Sequence, residues 1–386
     1  MISYLIEKKW RYLAPIAAII PEGLLRFAAK IFVKIQKQEL MGKKIPKRAI
    51  FFITNKCNLR CKHCFYIPNV VSAQEISFEQ IQKLARSAKG SLKQITLTGG
   101  EPFLRNDLED IIFAFAENGC EIVNIDTNGI LIERIESFLK NTLAKTQIKF
   151  IFILSLDGPS SVHDSIRGMP GSFEKTLKTL TLLSEYKQKY PKRFINIFVS
   201  TSINRLNAAY LPETISRIGS LKNIGHEFNF TRSTVLHTFG VPKDRLSGFD
   251  VNQDIVLNID EMKKVFAYLD KEAWGEKNKT LTALINRQRM IEAIKILEKR
   301  GGDLACPAGK TELVVYPEGD VGICEMLKPL GNLKETDYDL IKFYGKYRQQ
   351  FQAKKSCSCT HDCNVLSSMR LSPQSLVEIV KRKKAW

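Results

Sequence analysis

Apolar and polar positions along this chain change period repeatedly, and each change marks an expected element. Short runs rich in Ile, Phe, Leu and Val fall near 49–54, 93–98, 121–126, 148–155, 194–201 and 224–231. Between them, apolar residues recur three and four apart over about 78–89, 106–118, 131–143, 172–189 and 207–218. Strands alternating with helices predict an α/β fold, a parallel sheet with its helices outside, wound in the right-handed sense. In closed or curved sheets of this kind the chemistry sits at the C-terminal strand ends. Cys57, Gly99, Thr127, Ser155, Ser200 and Asn229 all lie at or just beyond those ends.

The remaining segments divide the chain into 1–47, 48–235, 236–302 and 303–386. The first holds an apolar run, Tyr12 to Ile20, broken by Pro15 and far short of the ~20 residues that span a bilayer. Glu22 to Gln38 then reads as a helix with Leu24, Phe27, Ile31 and Ile35 toward one side and Arg26, Lys30, Lys34 and Lys37 on the other. Residues 1–48 carry eleven Lys and Arg against three Glu. A basic amphipathic helix beside Trp10 and Tyr12 predicts an anchor on an anionic membrane surface; the alternative is a helix packed on the α/β unit. The basic tail Lys381-Arg382-Lys383-Lys384 adds to such an attraction by roughly 1 kcal/mol per residue. Residues 236–302 begin loop-like and continue as two helices, about 259–271 and 279–299, that connect to the C-terminal segment.

With 386 residues, 44% of them hydrophobic, the chain has room for one large and one small packed domain and is far from a disordered composition. The net charge of +19 would suit nucleic acid, but the basic residues are dispersed and form no aromatic-interleaved module. Their excess is greatest at the termini, so a membrane or an anionic substrate is expected in place of nucleic acid. Met1 to Lys9 lacks the basic start, apolar core and cleavage site of an export signal. Nine cysteines in such a chain point to metal and not to disulfides.

Three cysteines, Cys57, Cys61 and Cys64, follow the first strand in the spacing C-x3-C-x2-C. Thiolates this close on one loop can hold a single metal group. With His63 or a distant cysteine they could form a zinc site. Alternatively they hold an iron–sulfur cluster, which normally takes four cysteines, so three leave one iron open. Further on stand Gly99-Gly100-Glu101-Pro102, Asp126-Thr127-Asn128-Gly129, Ser155-Leu156-Asp157-Gly158, His163-Asp164 and Arg167-Gly168, ordered along successive strand ends. Two adjacent glycines let backbone approach a ligand closely. Together, Cys57 to Tyr66 and these segments resemble the radical S-adenosylmethionine (SAM) enzymes over roughly residues 48–235. The resemblance implies a partial (β/α)6 barrel and a [4Fe-4S] cluster on Cys57, Cys61 and Cys64 with SAM at its open iron. It implies a SAM pocket drawn from Phe65, Gly99, Gly100, Glu101, Pro102, Asn128, Ser155 and Arg167, in which Arg167 meets the methionine carboxylate. A fixed guanidinium fork suits that partner. No general base is assigned; Asp157, His163 and Asp164 are near the site and equally suited to structural roles.

The second cysteine group is Cys306-x12-Gly319-x4-Cys324, bracketing a hairpin-like stretch at 312–320, then a helical run near 337–352 and Cys357-Ser358-Cys359-Thr360-His361-Asp362-Cys363. It resembles the SPASM/Twitch extension of radical SAM enzymes, which carries auxiliary iron–sulfur clusters. A full SPASM domain has seven cysteines for two clusters. Here there are five, with the C-x2-C-x5 lead shortened to Cys357-x-Cys359, so one auxiliary [4Fe-4S] cluster is expected. Four of Cys306, Cys324, Cys357, Cys359 and Cys363 would ligate it, with Cys357 or Cys359 spare; a structural zinc site is the alternative. Either metal would help fold so short a segment.

The resemblance further implies reductive cleavage of SAM to methionine and a 5′-deoxyadenosyl radical, which abstracts hydrogen from a substrate carbon. An external donor such as flavodoxin or ferredoxin would supply the electron in a reducing cytoplasm, the chain lying peripherally on the inner face of the membrane. The expected substrate is a lipid or lipid-linked molecule, on the strength of the N-terminal segment. The alternative is maturation of a ribosomally made peptide, against which stands the shortness of residues 1–47 beside the leader-binding domain many such enzymes carry. A non-catalytic iron–sulfur protein ranks last, because electron transfer needs no SAM pocket.

Overall fold

The computed structural model describes residues 19–66, 74–274, 280–301, 304–353 and 357–381. Helix α1 (Glu22–Leu40) precedes strand β1 (Arg48–Thr54). There follow α2 (Phe78–Ser87), β2 (Gln94–Gly99), α3 (Leu108–Glu117), β3 (Ile122–Thr127), α4 (Ile132–Lys145) and β4 (Lys149–Ser155). The first unit closes with α5 (Ser160–Arg167), α6 (Ser172–Lys189), β5 (Phe194–Ile203), α7 (Leu211–Gly219) and β6 (Gly225–Phe230). The connector holds β7 (Thr238–Phe239), α8 (Ile259–Glu272) and α9 (Leu281–Lys299). The C-terminal part adds β8 (Glu312–Val315), β9 (Asp320–Gly322), β10 (Gly331–Asn332), α10 (Leu340–Lys346), α11 (Arg348–Gln352), β11 (Ser358–Cys359), α12 (Asp362–Arg370) and α13 (Pro373–Lys381).

Strands β1 to β6 pair in sequence order, all parallel, as the alternation predicts. Their side chains divide by parity, since successive strand residues face opposite ways. One set, including Leu97, Ile125, Phe152 and Val199, is fully buried against Leu84, Ile111, Phe138 and Leu180 of the covering helices. The other set faces the inner side of the curved sheet and turns polar toward the C-terminal ends, with Thr98, Asp126, Ser155, Ser200, Glu227 and Asn229 each partly accessible. An inner face that stays polar and wet leaves room for ligands.

Both free edges of the six-strand unit are covered, which removes the hazard of unpaired backbone. On one side β8 pairs parallel to β1, aligning Arg48 with Glu312 and Phe51 with Val315, and Arg48 Nη2 lies 3.1 Å from Glu312 Oε2. The expected hairpin forms as β8 and β9, antiparallel, turning at Gly319, whose φ of +92° suits glycine. The C-terminal segment thus continues the sheet to nine strands, ending in β10. On the other side α9 lies against β6, where Arg289 Nη2 donates to the Phe228 carbonyl at 2.9 Å; Phe228, Trp274, Met290 and Ile294 share a second core.

Helix α1 packs its Leu25 and Ala29 on Val377 of α13, and Lys381 Nζ donates to the Ile20 carbonyl at 2.7 Å. Its opposite side leaves Leu24, Phe27 and Ile31 exposed at 63%, 64% and 50%, with Ile19 just before it at 82%. The helix is therefore docked on one face and apolar on another. Most of the run from Tyr12 to Ile20, and Arg382 to Lys384, lie outside the described residues. Among those described, no helix is long and apolar enough to cross a membrane.

Candidate functional site

The cysteine loop leaves the end of β1 and is held from below by the next loop. Gly100 N donates to the Thr54 carbonyl and Glu101 N to the Lys56 carbonyl, both at 2.8 Å. A Cβ at residue 100 would stand 1.9 Å from the Lys56 carbonyl oxygen, and Gly99 adopts φ +123° with a Cβ position 2.5 Å from the Thr54 oxygen. The glycine pair is thus required for the two loops to meet. Pro102 opens a short 3-10 turn behind them.

From the other side the loop is clamped by α5, an element the sequence pattern did not reveal. Arg60 N and Lys62 N donate to the carbonyls of Arg167 and Ile166 at 3.3 and 2.8 Å. Gly168 ends α5 in the left-handed region, φ +70°, where a Cβ would come 2.8 Å from the Arg60 oxygen. The pairing Arg167-Gly168 is legible in hindsight as a helix C-terminus.

Glu101 is 1% exposed and accepts three hydrogen bonds, from Phe103 N at 3.1 Å, Thr127 Oγ1 at 2.7 Å and Asn128 N at 2.8 Å. Burial nonetheless pushes its carboxyl up to about 7. Asn128 in turn donates through Nδ2 to Asn58 Oδ1 at 2.8 Å. Glu101 and Asn128 therefore tie three strand-end loops, including the cysteine loop, into one rim. Ser155 faces inward from the same rim, opposite Ser200 of β5.

Arg167 is buried, and its guanidinium spans Asp157 Oδ2 at 2.5 Å and Cys61 Sγ at 3.6 Å. Asp157 is fully buried, accepts Ser202 N at 3.0 Å and has His63 Nε2 at 3.8 Å. Burial opposes its charge, but Arg167 and its hydrogen bonds hold the carboxyl below the usual range. Burial lowers His63 and His163 to about 4, so both are neutral at pH 7. His163 Nδ1 accepts the Asp157 amide at 3.1 Å; Asp164 caps the start of α6 through Gly171 N, Ser172 Oγ and Phe173 N. All three have structural partners.

Inside the barrel Asp126, which the sequence offers only as the start of a strand-end segment, emerges as a candidate site residue. Burial, then Glu227, pushes its carboxyl up to about 7, and its Oδ1 has no hydrogen-bond partner among the described residues. Its place in the inward parity of β3 was the available signal.

The donor chemistry fits a three-thiol cluster site. Cys57, Cys61 and Cys64 bear on one another electrostatically. Burial pushes Cys57 up to about 11 and raises Cys61, which Arg167 opposes. Cys57 and Cys61 so placed stay protonated alone, and a bound metal deprotonates its thiol ligands. Phe65 follows the third cysteine with the Arg232 guanidinium 5.1 Å from its ring centre. In the C-terminal part, Cys306 is hydrogen-bonded to Cys357, and Cys359 bears on both Cys306 and Cys324. Asn364 Nδ2 lies 3.8 Å from Cys359 Sγ. Cys363 falls in the first turn of α12, where burial and then Glu312, Asp362 and Asp126 bear on it most. Among the described residues no three His, Cys, Asp or Glu side chains converge as closely as one metal ion requires.

Residues 51–216 match the model of the radical SAM superfamily, and residues 306–364 that of an iron–sulfur cluster-binding domain, SPASM. The antilisterial bacteriocin subtilosin biosynthesis protein AlbA of Bacillus subtilis strain 168 is 26% identical over 303 residues, covering 77% of this chain and 59% of AlbA. The sporulation killing factor maturation protein SkfB of the same strain is 28% identical over 317 residues, 82% of this chain and 69% of SkfB. The fold is similar to that of Streptococcus suis SuiB bound to SAM, at TM-score 0.54 and 16% identity, over 81% of this chain and 68% of SuiB. With the parallel barrel, the three-cysteine loop and the second cysteine group, the two family models agree: the chain belongs to the radical SAM superfamily, enzymes that use SAM and a [4Fe-4S] cluster, and carries a C-terminal SPASM domain for auxiliary iron–sulfur binding.

Proposed function

We propose that this enzyme matures a ribosomally made peptide. The observation that carries the reading is a likeness over 82% of this chain to SkfB, a maturation protein, and over 77% to AlbA, a bacteriocin biosynthesis protein. SuiB, which shares the fold, has also been solved with its precursor peptide SuiA. The peptide reading thus displaces the lipid substrate expected from the N-terminal segment alone.

In this reading Cys57, Cys61 and Cys64 hold the cluster, and the rim of Gly99, Gly100, Glu101, Pro102, Asn128, Ser155 and Phe65 receives SAM. When bound, the cluster supplies the electron that cleaves SAM to methionine and a 5′-deoxyadenosyl radical, which takes hydrogen from a substrate carbon. The chain's own residues orient and enclose. Gly99 and Gly100 bring backbone to the ligand, Glu101 and Asn128 fix the rim, and Arg167 sets the charge beside Cys61. The polar inner face, with Asp126 and Glu227, offers hydrogen-bond partners to a peptide backbone. A low-potential donor of the flavodoxin or ferredoxin type supplies electrons.

The test is coexpression with a short precursor peptide encoded beside the gene, followed by mass spectrometry of the peptide. A mass change that requires the Cys57, Cys61 and Cys64 thiols supports maturation. Release of 5′-deoxyadenosine without any change in peptide, but with a changed lipid extract, would move the assignment to a lipid substrate.

A second reading concerns location. The exposed Leu24, Phe27 and Ile31 of α1 stand among Arg26, Lys30 and Lys34, the arrangement of a helix lying on an anionic membrane surface. The helix is already docked on α13, so the membrane would meet its outer side only.

A further inference from the structure

Five cysteines compete for one auxiliary cluster, and the fold sorts them. β11 pairs antiparallel with β7, Cys359 opposite Thr238. Side chains alternate along a strand, so residues two apart share a face. The spacing Cys357-x-Cys359, too short for the family's usual lead, therefore suits two thiols directed the same way from extended chain. Cys306 is hydrogen-bonded to Cys357, and Cys357 and Cys359 both bear electrostatically on Cys324, which shares a buried cluster with Cys306 and Cys359. Cys306, Cys357 and Cys359 also line one pocket with Asn364, whose amide reaches toward Cys359 Sγ.

After Cys359 the chain turns at Thr360 and His361 into α12, and Cys363 falls in its first turn. The residue keeps accessible surface, yet it lies deep among protein atoms: burial, then Glu312, Asp362 and Asp126, pushes its thiol up to about 12 against the opposing Arg232. Asp126 belongs to the inner side of β3. Glu312 shares the parity of Val314 and Tyr316, which pack on Ile50 and Phe52 of β1. Glu312 is 6% exposed, with its Oε1 unpartnered among the described residues. Arg48 Nη2, paired with Glu312, also donates to Ser367 Oγ of α12 at 2.9 Å, which fixes the helix against the barrel.

We infer that Cys306, Cys324, Cys357 and Cys359 ligate the auxiliary cluster, and that Cys363 is a free thiol facing the inner side of the barrel. The inference rests on the presence of an auxiliary cluster, which the wild-type iron content checks independently. Four thiolates then complete the cluster, and Cys363 alone cannot hold a second one. The barrel gains a soft, protonated thiol near Asp126 and Glu312.

The experiment uses anaerobically reconstituted full-length holoprotein. Wild type should carry about eight irons, as two four-iron clusters; about four would show that no auxiliary cluster forms, a failure of the cofactor reading and not of the ligand sorting. Given eight, Cys363→Ser should keep about eight, whereas Cys359→Ser should fall to about four. Native holoprotein incubated at length with iodoacetamide should be alkylated at Cys363, slowly because its thiol stays protonated, and protected at Cys306, Cys324, Cys357 and Cys359 by peptide mapping. Loss of about half the iron in Cys363→Ser, or protection of Cys363 with alkylation of Cys357 or Cys359, would overturn the assignment. The mapping uses wild type, so it decides the matter even if a variant fails to fold.

Discussion

The guanidinium of Arg232 lies 5.1 Å from the ring centre of Phe65, the residue after Cys64, and is ion-paired with Glu325, the residue after Cys324. One partly buried positive charge thus touches both cysteine groups, and it also bears on Cys359. A positive charge nearby favours the reduced, more negative form of a cluster. Arg232→Ala should therefore make both clusters harder to reduce, shifting their potentials downward in an anaerobic EPR-monitored titration, while Arg232→Lys should retain most of the wild-type value. Identical potentials in all three proteins would remove Arg232 from any electrostatic role.

Gly100→Ala tests the contact between the loops. The new methyl would meet the Lys56 carbonyl oxygen, a backbone atom that cannot rotate away. Overpacking of this kind costs about 1–3 kcal/mol, here concentrated on the segment that carries Cys57. The expected result is loss of the Cys57-loop iron with the auxiliary iron retained, read from iron content and absorbance. Full retention of both would mean the loop has slack that its geometry does not suggest.

Arg167→Ala should leave Asp157 charged and buried without its partner, a loss of about 3–5 kcal/mol. A second change, Asp157→Asn, removes that orphaned charge and should restore much of the stability in urea unfolding. If Arg167 also meets SAM, the double variant should still bind SAM roughly tenfold or more weakly, since a charge-assisted hydrogen bond contributes about 1.5–3 kcal/mol. Restored stability together with wild-type SAM affinity would confine Arg167 to the structural pairing.

Glu101 gives the pH dependence a sign. Burial raises its folded pKa to about 7 from 4.5, so the folded state keeps a proton that the unfolded chain has released. Its contribution is fully present below about pH 4.5 and is lost as pH rises toward about 7. At about 1.36 kcal/mol per pH unit, the loss is on the order of 3 kcal/mol. Asp126 acts in the same direction, whereas Asp157, held low, acts oppositely and loses stability as pH falls. Comparing the apoprotein with Glu101→Gln at pH 5 and pH 8 isolates one term: the variant should gain relative to wild type on going to pH 8. A constant difference would show that Glu101 is ionised throughout.

Replacing Leu24, Phe27 and Ile31 by Ser should weaken binding to anionic vesicles at least roughly tenfold, since each apolar side chain withdrawn from water contributes on the order of 1 kcal/mol. Salt should weaken the wild type too, as the Debye length falls to about 3 Å at 1 M. The buried side of α1 is untouched, so thermal stability should hold. If the full chain does not sediment with such vesicles at low salt, α1 serves packing alone.

The barrel was legible because its information is local. A strand buried on one face by helices and wetted on the other must alternate, as Val123 to Thr127 of β3 do, and the loops carrying Cys57, Gly99 and Asn128 interrupt that pattern at each strand end. Helix α5 was hidden because eight residues rich in Ser, with Pro159 before them and Gly168 after, read as turn; tertiary hydrogen bonds to the cysteine loop hold it. The glycine pair read as a ligand approach, but its first physical effect is the meeting of two loops.

The sequence by itself determined the parallel α/β unit, the three-cysteine loop and the existence of a second cysteine group, since periodicity and close spacing need no partner to be read. The tertiary structure alone decided the pairing of β8 on β1, the Arg167–Asp157 pair and the place of Arg232 between two loops. Each of these joins residues far apart in the chain, as Arg48 and Glu312 are. Burial, edge pairing and the balance of desolvation against charge exist only once such residues meet.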